Sequence, residues 1–563
     1  MHNREAFLYL NRRSTLPTTR GGSEDVLTSP RAISDHSLRN RVVPRLLEVL
    51  DQNDSRLTSA AILSLGRIGD VPGGNIGEAI RPFLADNNQR VCESTCIAIG
   101  ILGRPQDMPL LKDLLLDTEA GQKAFDRSEV TRRMRSFAAY SLGLIGQRTD
   151  NPDVRRFAVH ALMASFAQTQ KEATPDTRIA TMIALSMVAP GRHGDGDGPE
   201  STSNTALAQR VISLLESKRE DDAVRAHAPA VLAGIYPELN DELRTEVVRV
   251  LCTLPYKRIN TSEAIRLGCV QALGTIGDAD TDVHDERIRH VLMQLNANGK
   301  RSVRGLALMS LAQTASRPGT GDEPFAAAKD VRKLLGARIT RGKSFERAWA
   351  ALALGVFAYG MEAAGQPLPT EAFEPLRYLR RKGRSVEETA AAALGLGLAS
   401  DEDSVEQLSD LDDFNDDQSM IHGAWALGLS GATGGIESLR DLLQDAEHRP
   451  VVLEASALGL AMLGHATVSN ELQGLSMECD CLTTHSGVSL ALGRVGGETA
   501  LDPLLSGVTN ETNTKLERSY AAFALGRLAD RDVRPWSSRI SIRLNYRSSS
   551  ETLRGGGGIL DLP

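Results

Sequence analysis

"AAILSLGRIGD", Ala60 to Asp70, is echoed near the far end of the chain by "AAFALGRLAD", Ala521 to Asp530. Leu65-Gly66-Arg67 and Leu525-Gly526-Arg527 are the same tripeptide, 460 positions apart. Further copies lie between them. They include "CIAIGILG" ending at Gly103, "AAYSLGLIG" at Gly146, "CVQALGTIG" at Gly277, "AALALGVFA" from Ala350 and "AAALGLGLA" from Ala391. "GAWALGLSG" from Gly423, "ASALGLAMLG" from Ala455 and "SLALGRVGG" from Ser489 complete the clear ones. Weaker copies begin at Ala180, Ala228 and Gly305.

Most copies follow a second amphipathic run and a polar turn. In "VVPRLLEVLDQNDSRLTSAAILSLGRIGD", Val42 to Asp70, the residues Leu46, Leu47 and Leu50 share one helix face. "DQND" then supplies turn and N-cap chemistry, and Gly69 suits the position after a helix end. Thirteen such pairs make the 460-residue offset twelve steps of about 38 residues, within the range of two-helix repeats. The step varies, from 31 between Gly428 and Gly459 to 43 between Gly100 and Gly143. That irregularity, and the lack of a Trp/Tyr/Phe signature, excludes a tetratricopeptide array.

The pattern implies an all-α fold, an α-solenoid wound as a right-handed superhelix of about thirteen helix pairs. The array covers 40–530, between an N-terminal segment 1–39 and a C-terminal tail 531–563. Glycine inside a helix costs about 1 kcal/mol relative to alanine, so its recurrence needs a structural reason. Close approach supplies one: without a side chain, the second helix can press against its partner or the next repeat. A phosphate-cradling loop would need a strand before the glycines, whereas helical periodicity runs through these.

Composition agrees with many thin helices. Hydrophobic residues make up 41% of the chain and aromatic ones only 4%, so the core is built from Ala, Leu, Val and Ile. A net charge of −8 argues against general polyanion binding. Six cysteines are too few for a disulfide framework, and no run of 18 apolar residues suggests a membrane span. "MHNREAFLYLNRR" lacks the apolar core of a signal peptide but reads like the tail of an amphipathic helix. The expectation is a cytoplasmic protein, or an exported one if the start is incomplete.

The unit "LGRVGGETALDPLLSGVTNETNTKLERSYAAFALGRLAD" resembles a HEAT repeat, in particular the HEAT-like repeats of phycobilisome lyases. Aspartate in the turn and arginine at the start of the second helix fit that pattern, as Asp153 and Arg155 in "NPDVRRFA" and Asp222 and Arg225 in "REDDAVRAHA". The resemblance covers nearly the whole chain and implies a fold. Its motif residues are those that build the solenoid.

Candidate chemistry is sparse. Cys479, Cys481 and His485 form a C-x-C-x3-H cluster without a second C-x2-C. Cys92 and Cys96 read as two small hydrophobes on one buried helix face. "DADTDVHDE", from Asp278, starts like a calcium loop but lacks glycine at the sixth position and glutamate at the twelfth. Gly342-Lys343-Ser344 has the wrong glycine spacing for a P-loop. No G-x-S-x-G is present, and none of the eleven histidines precedes a glutamate. Deoxyhypusine hydroxylase, a HEAT-repeat enzyme, carries iron on such His-Glu pairs, so that reading loses its residues. No catalytic, cofactor or metal residue is assigned.

Lys329 to Arg384 holds twelve Lys/Arg against five Asp/Glu, together with six of the 23 aromatics. "DEDSVEQLSDLDDFNDD", Asp401 to Asp417, follows with nine acids and no base. Opposite fields on neighbouring repeats would orient a charged partner. Trp349, Arg377, Tyr378, Arg380, Arg381, Lys382 and Arg384 are the candidate partner-binding residues. Insertions such as "APGRHGDGDGPESTSNT" after second helices would crowd one edge, although "DTEAGQKAFDRSE" falls between helices of one pair. In the tail, Ile540, Ile542, Leu544 and Tyr546 alternate like an extended strand before four glycines. The leading function is a non-catalytic protein-interaction scaffold. The alternatives are a lyase-like enzyme or accessory factor with an inter-repeat pocket, and nucleic-acid binding through the basic stretch.

Overall fold

The computed structural model describes residues 33–71, 74–168, 174–188, 202–257, 261–411, 416–465, 467–478, 481–495 and 497–529. The C-terminal tail, its strand-like segment and most of the "APGRHGDGDGPESTSNT" insertion fall outside these residues. Within them the chain is all-α, an α-solenoid of thirteen helix pairs with no strand. The second helices, helix B, include Ser55–Ile68, Gln89–Leu102, Arg132–Arg148, Pro175–Leu185, Arg301–Ala315, Ser344–Ala363, Val386–Leu398 and Lys515–Leu528. The first helix begins at Asp35, inside the segment read as N-terminal. "DTEAGQKAFDRSE" is not a plain loop: Glu119–Phe125 is a short helix capped by Thr118.

The residues form two compact units. One is 270–500, with repeats 7 to 12, and the other is 33–269 with 501–529, holding repeats 1 to 6 and 13. In each, the B helices stack on one another and bury the leucines of the recurring phrase, among them Leu65, Leu142, Leu427 and Leu525.

The glycines mark where that stacking is closest. A Cβ on Gly66 would lie 2.9 Å from Ala98 Cβ, and one on Gly100 would lie 2.6 Å from Ser141 Cα. One on Gly274 would lie 2.8 Å from Ser310 Cα, and one on Gly397 would lie 2.7 Å from Ala426 Cα. At these four positions the glycine of one copy rests on a small residue of the next repeat, two places before the glycine or its equivalent there. "Small-Leu-Gly" therefore encodes both halves of the interface. Gly395 and Gly459 instead meet the Ala351 and Ala424 carbonyls of the preceding repeat and Leu376 and Leu439 of their own partner helices. Where the small residue is serine, its hydroxyl donates back across the gap, from Ser141 to the Cys96 carbonyl at 2.8 Å and from Ser310 to Val270 at 2.9 Å.

The same interlock joins repeat 13 to repeat 1. A Cβ on Gly526 would lie 2.5 Å from Ser64 Cα, and Ser64 Oγ donates to the Ala522 carbonyl at 2.7 Å. Arg518 reaches Gln52 at 2.6 Å, Arg41 pairs with Asp502, and Arg67 lies over the Phe523 ring. The two phrases that open and close the array touch each other.

Arginines near the start of helix B hold the end of helix A. Arg135, Arg225 and Arg518 donate from Nε to the carbonyls of Leu115, Leu215 and Val508 at 2.8, 3.1 and 2.7 Å. A guanidinium there satisfies a carbonyl the helix leaves open and complements its dipole. Arg225 stands at the expected place, after helix A of its repeat. Arg155 does not, because "NPDVRRFA" starts the first helix of repeat 4, Pro152–Ala167, and Arg155 bonds the Thr149 carbonyl instead.

Candidate partner-binding surface

Repeat 9 carries the densest basic run on helix Glu374–Lys382. Its Leu376 and Leu379 face the core beside Phe373. That amphipathic register decides which of the neighbouring cations reach solvent.

Arg377 and Arg380 turn inward. Arg377 is 8% exposed and grips Asp401 through two hydrogen bonds of 2.8 Å, while Nη1 reaches Glu374 at 2.6 Å. Asp401 also accepts a hydrogen bond from Ser404. The Asp401 carboxylate raises the Arg377 pKa, so the pair stays charged. Arg380, 6% exposed, donates to the Asp410 carbonyl at 3.2 Å. Trp349 is 3% exposed and packs where a Cβ on Gly305 would fall, 2.5 Å from its ring. These three residues are therefore removed from the exposed patch. Burial and internal bonding make them clamps between repeats, and the first acids of the 401–417 block are partners of that clamp.

Tyr378, Arg381, Lys382 and Arg384 are exposed, Tyr378 at 58%. Tyr378 shares a helix face with Arg381 and Lys382, three and four places on. No carboxylate lies within ion-pair distance of Arg381, Lys382 or Arg384 among the described residues. The exposed cations continue onto the A–B turn of repeat 8, with Arg341 and Lys343. Reading the sequence for a P-loop passed over these two. The signal for them was a glycine-cation pair at the same place in successive repeats, Gly299-Lys300, Gly342-Lys343 and Gly383-Arg384.

The other candidates resolve as structure. Cys481 Sγ meets Thr484 Oγ1 at 2.9 Å and His448 Nδ1 at 3.8 Å, whereas His485 Nε2 lies 3.3 Å from the Ser476 carbonyl. Cys479 lies outside the described residues. Burial pushes Cys92 up to about 11 and Cys96 up to about 12, which fits inert thiols.

The calcium-like loop does gather Asp278, Asp280 and Asp285, with ligand oxygens within 4.8 Å. Its carboxylates also serve the backbone. Asp285 accepts the Asp278 N–H at 2.6 Å, and Asp280 accepts those of Asp282 and Thr320 at 3.0 and 3.1 Å. Burial raises the Asp285 carboxyl to about 8. Arg289 closes the loop by donating to the Asp278 carbonyl at 2.6 Å. No helix among the described residues is long and apolar enough to cross a membrane.

No family model matches the chain, and no curated protein matches it. Among solved structures, an engineered protein is 20% identical, with 83% of this chain and all of that one covered, at a TM-score of 0.28. The karyopherin Kap121p bound to the SUMO protease Ulp1p is 12% identical over 88% of this chain, at a TM-score of 0.41. The chain spans 53% of that karyopherin's length. Human deoxyhypusine hydroxylase in complex with glycerol is 14% identical over 53% of this chain and 99% of its own, at 0.24.

Proposed function

We propose that this chain is a non-catalytic protein-interaction scaffold assembled from HEAT-type repeats of the phycobilisome-lyase variety. The observation that carries the reading is the exposed group Tyr378, Arg381, Lys382 and Arg384, in which the three cations have no intramolecular carboxylate partner among the described residues. Cations kept in solvent beside a half-exposed tyrosine cost the fold little and leave their field available to a partner. Their neighbours Arg377 and Arg380, bonded inward, hold the helix that presents them. The test is affinity purification from the native cell with the wild-type chain and with Arg381→Glu/Lys382→Glu. Wild type should retain a defined protein that the double variant loses at unchanged helicity. Equal capture by both removes the patch from the proposal, and a bound chromophore or a processed substrate on the purified protein overturns the scaffold reading.

A further inference from the structure

We infer that the A–B turns of repeats 7, 8 and 9 form one edge that binds an extended acidic polypeptide segment. This rests on the scaffold reading and names its partner class.

The three turns share the glycine that closes helix A. Gly299, Gly342 and Gly383 each donate their N–H to the carbonyl four residues back, at 2.8, 2.9 and 2.8 Å. Backbone angles repeat in repeats 7 and 8: Gly299 and Gly342 have φ/ψ of −72/171 and −69/166, and the following Lys300 and Lys343 have −65/161 and −67/159. In repeat 9 the turn is one residue longer, with Gly383 at −59/144 and Arg384 standing just before the N-cap Ser385. A ladder of ion pairs on buried glutamates fixes the turns to one another. Arg304 of repeat 7 pairs with Glu346 of repeat 8, and Arg347 of repeat 8 reaches Glu388 of repeat 9 at 2.7 Å. The same glutamates accept the backbone N–H groups of Lys343 and Arg384, at 3.1 and 2.9 Å. Each glutamate thus positions a cation on one repeat and holds the repeat before it.

The placement of Lys343 is unfavourable for folding alone. Lys300 and Lys343 stand at helix N-caps and make no side-chain cap hydrogen bond. Asp54, Thr131, Asp221 and Thr514 do cap at corresponding turns. A cation at a helix N-terminus opposes the dipole by about 0.3–1 kcal/mol. Repeat 11 also has a cation there, Arg449, but Asp417 answers it at 3.1 Å. Lys343 has no such carboxylate among the described residues, nor do Arg341, Arg381, Lys382 and Arg384. Glu387 is the exposed acid of the repeat 9 turn.

The edge has a limit, and the limit selects the partner. At repeat 10 the sign reverses: Asp410 is exposed, as is Asp417, which shares its charge with Arg449. Adjacent helices lie roughly 8–10 Å apart, so three turns span roughly 20 Å, the length of about six extended residues. A long polyanion continuing along the edge would meet the acids of repeat 10. A short acidic segment would not.

The probe is a fluorescein-labelled octaglutamate peptide followed by anisotropy against the full chain. Wild type should bind, with affinity falling as salt rises. Lys343→Glu/Arg381→Glu/Arg384→Glu should bind at least about tenfold more weakly at unchanged helicity. Lys343→Gln/Arg384→Gln, milder for the fold, should lose about threefold. Arg56→Glu/Lys123→Glu/Lys218→Glu makes the same change in net charge at exposed sites elsewhere and should bind as wild type does. No binding by wild type, an equal loss in that last variant, or tighter capture of a duplex DNA at the same edge would overturn the inference. If the native partner stays with the Lys343→Glu/Arg381→Glu/Arg384→Glu chain, the edge fails while the scaffold reading stands.

Discussion

Replacing Gly526 by alanine tests the contact between repeats 13 and 1. A Cβ there would sit 2.4 Å from Ser64 Oγ and 2.5 Å from Ser64 Cα, where ordinary contacts are about 3.5–4.0 Å. The helices must separate by roughly 1 Å, because one of the three obstructing atoms, the Ser64 Cα, is backbone and the Cβ is fixed to it. Overpacking of this kind costs about 1–3 kcal/mol. Separation also stretches the 2.7 Å bond from Ser64 to the Ala522 carbonyl, which contributes about 1 kcal/mol. Against this stands the helical gain of alanine over glycine, about 1 kcal/mol, so the net loss should be about 1–3 kcal/mol. Gly474 is the internal control: a Cβ there meets nothing within 4 Å, so Gly474→Ala should gain roughly 0.4–1 kcal/mol. A repeat array need not unfold in one step, so the assay is amide hydrogen exchange read by mass spectrometry. Gly526→Ala should speed exchange in both Ser55–Ile68 and Lys515–Leu528, about tenfold for each 1.4 kcal/mol. Ser64→Ala should not rescue it, since the Cα remains. If Gly526→Ala instead slows exchange in both helices, as Gly474→Ala does in its own, the close packing of the last repeat on the first is refuted.

Adjacent arginines on one helix should behave oppositely. Arg380→Glu buries an unpaired charge and should cost about 3–5 kcal/mol in the packing of repeats 9 and 10, whereas Arg381→Glu should stay within about 0.5 kcal/mol; equal melting temperatures for the two would contradict the assigned burial. Burial lifts the Asp285 carboxyl from 3.8 to about 8, so the folded chain keeps a proton that the unfolded chain releases. That stabilisation is complete below pH 3.8 and lost as pH rises towards 8, and Asp285→Asn should flatten the decline in urea titrations across this window. His422, 2% exposed beside Trp425, is pulled by burial from 6.5 to about 4. The unfolded chain then takes up the proton first, so stability present above pH 6.5 is lost as pH falls towards 4. His422→Phe should remove that acid-side loss, and an unchanged acid limb would show that the imidazole is hydrated.

Much of the architecture was legible because repeats write their own packing. Thirteen pairs, the helical course of the Leu-Gly phrases and the glycine's role in close approach all follow from helix periodicity and side-chain size. The partner patch was legible only as composition. Lys/Arg density does not distinguish Arg377, which faces Asp401, from Arg381, which faces water, until the register set by Leu376 and Leu379 is known. The contact between the two ends was written in the sequence in a different way. Capping repeats of solenoids carry a polar outer face. Here Ser64 in the first copy keeps the small residue that receives a glycine, as Ser141 and Ser310 do inside the array, and Gly526 in the last keeps the glycine that needs a seat. Both residue types are those of the interlock between interior repeats. The likeness of "AAILSLGRIGD" to "AAFALGRLAD" is therefore complementarity as well as repetition, one phrase supplying the socket and the other the flat face that fills it.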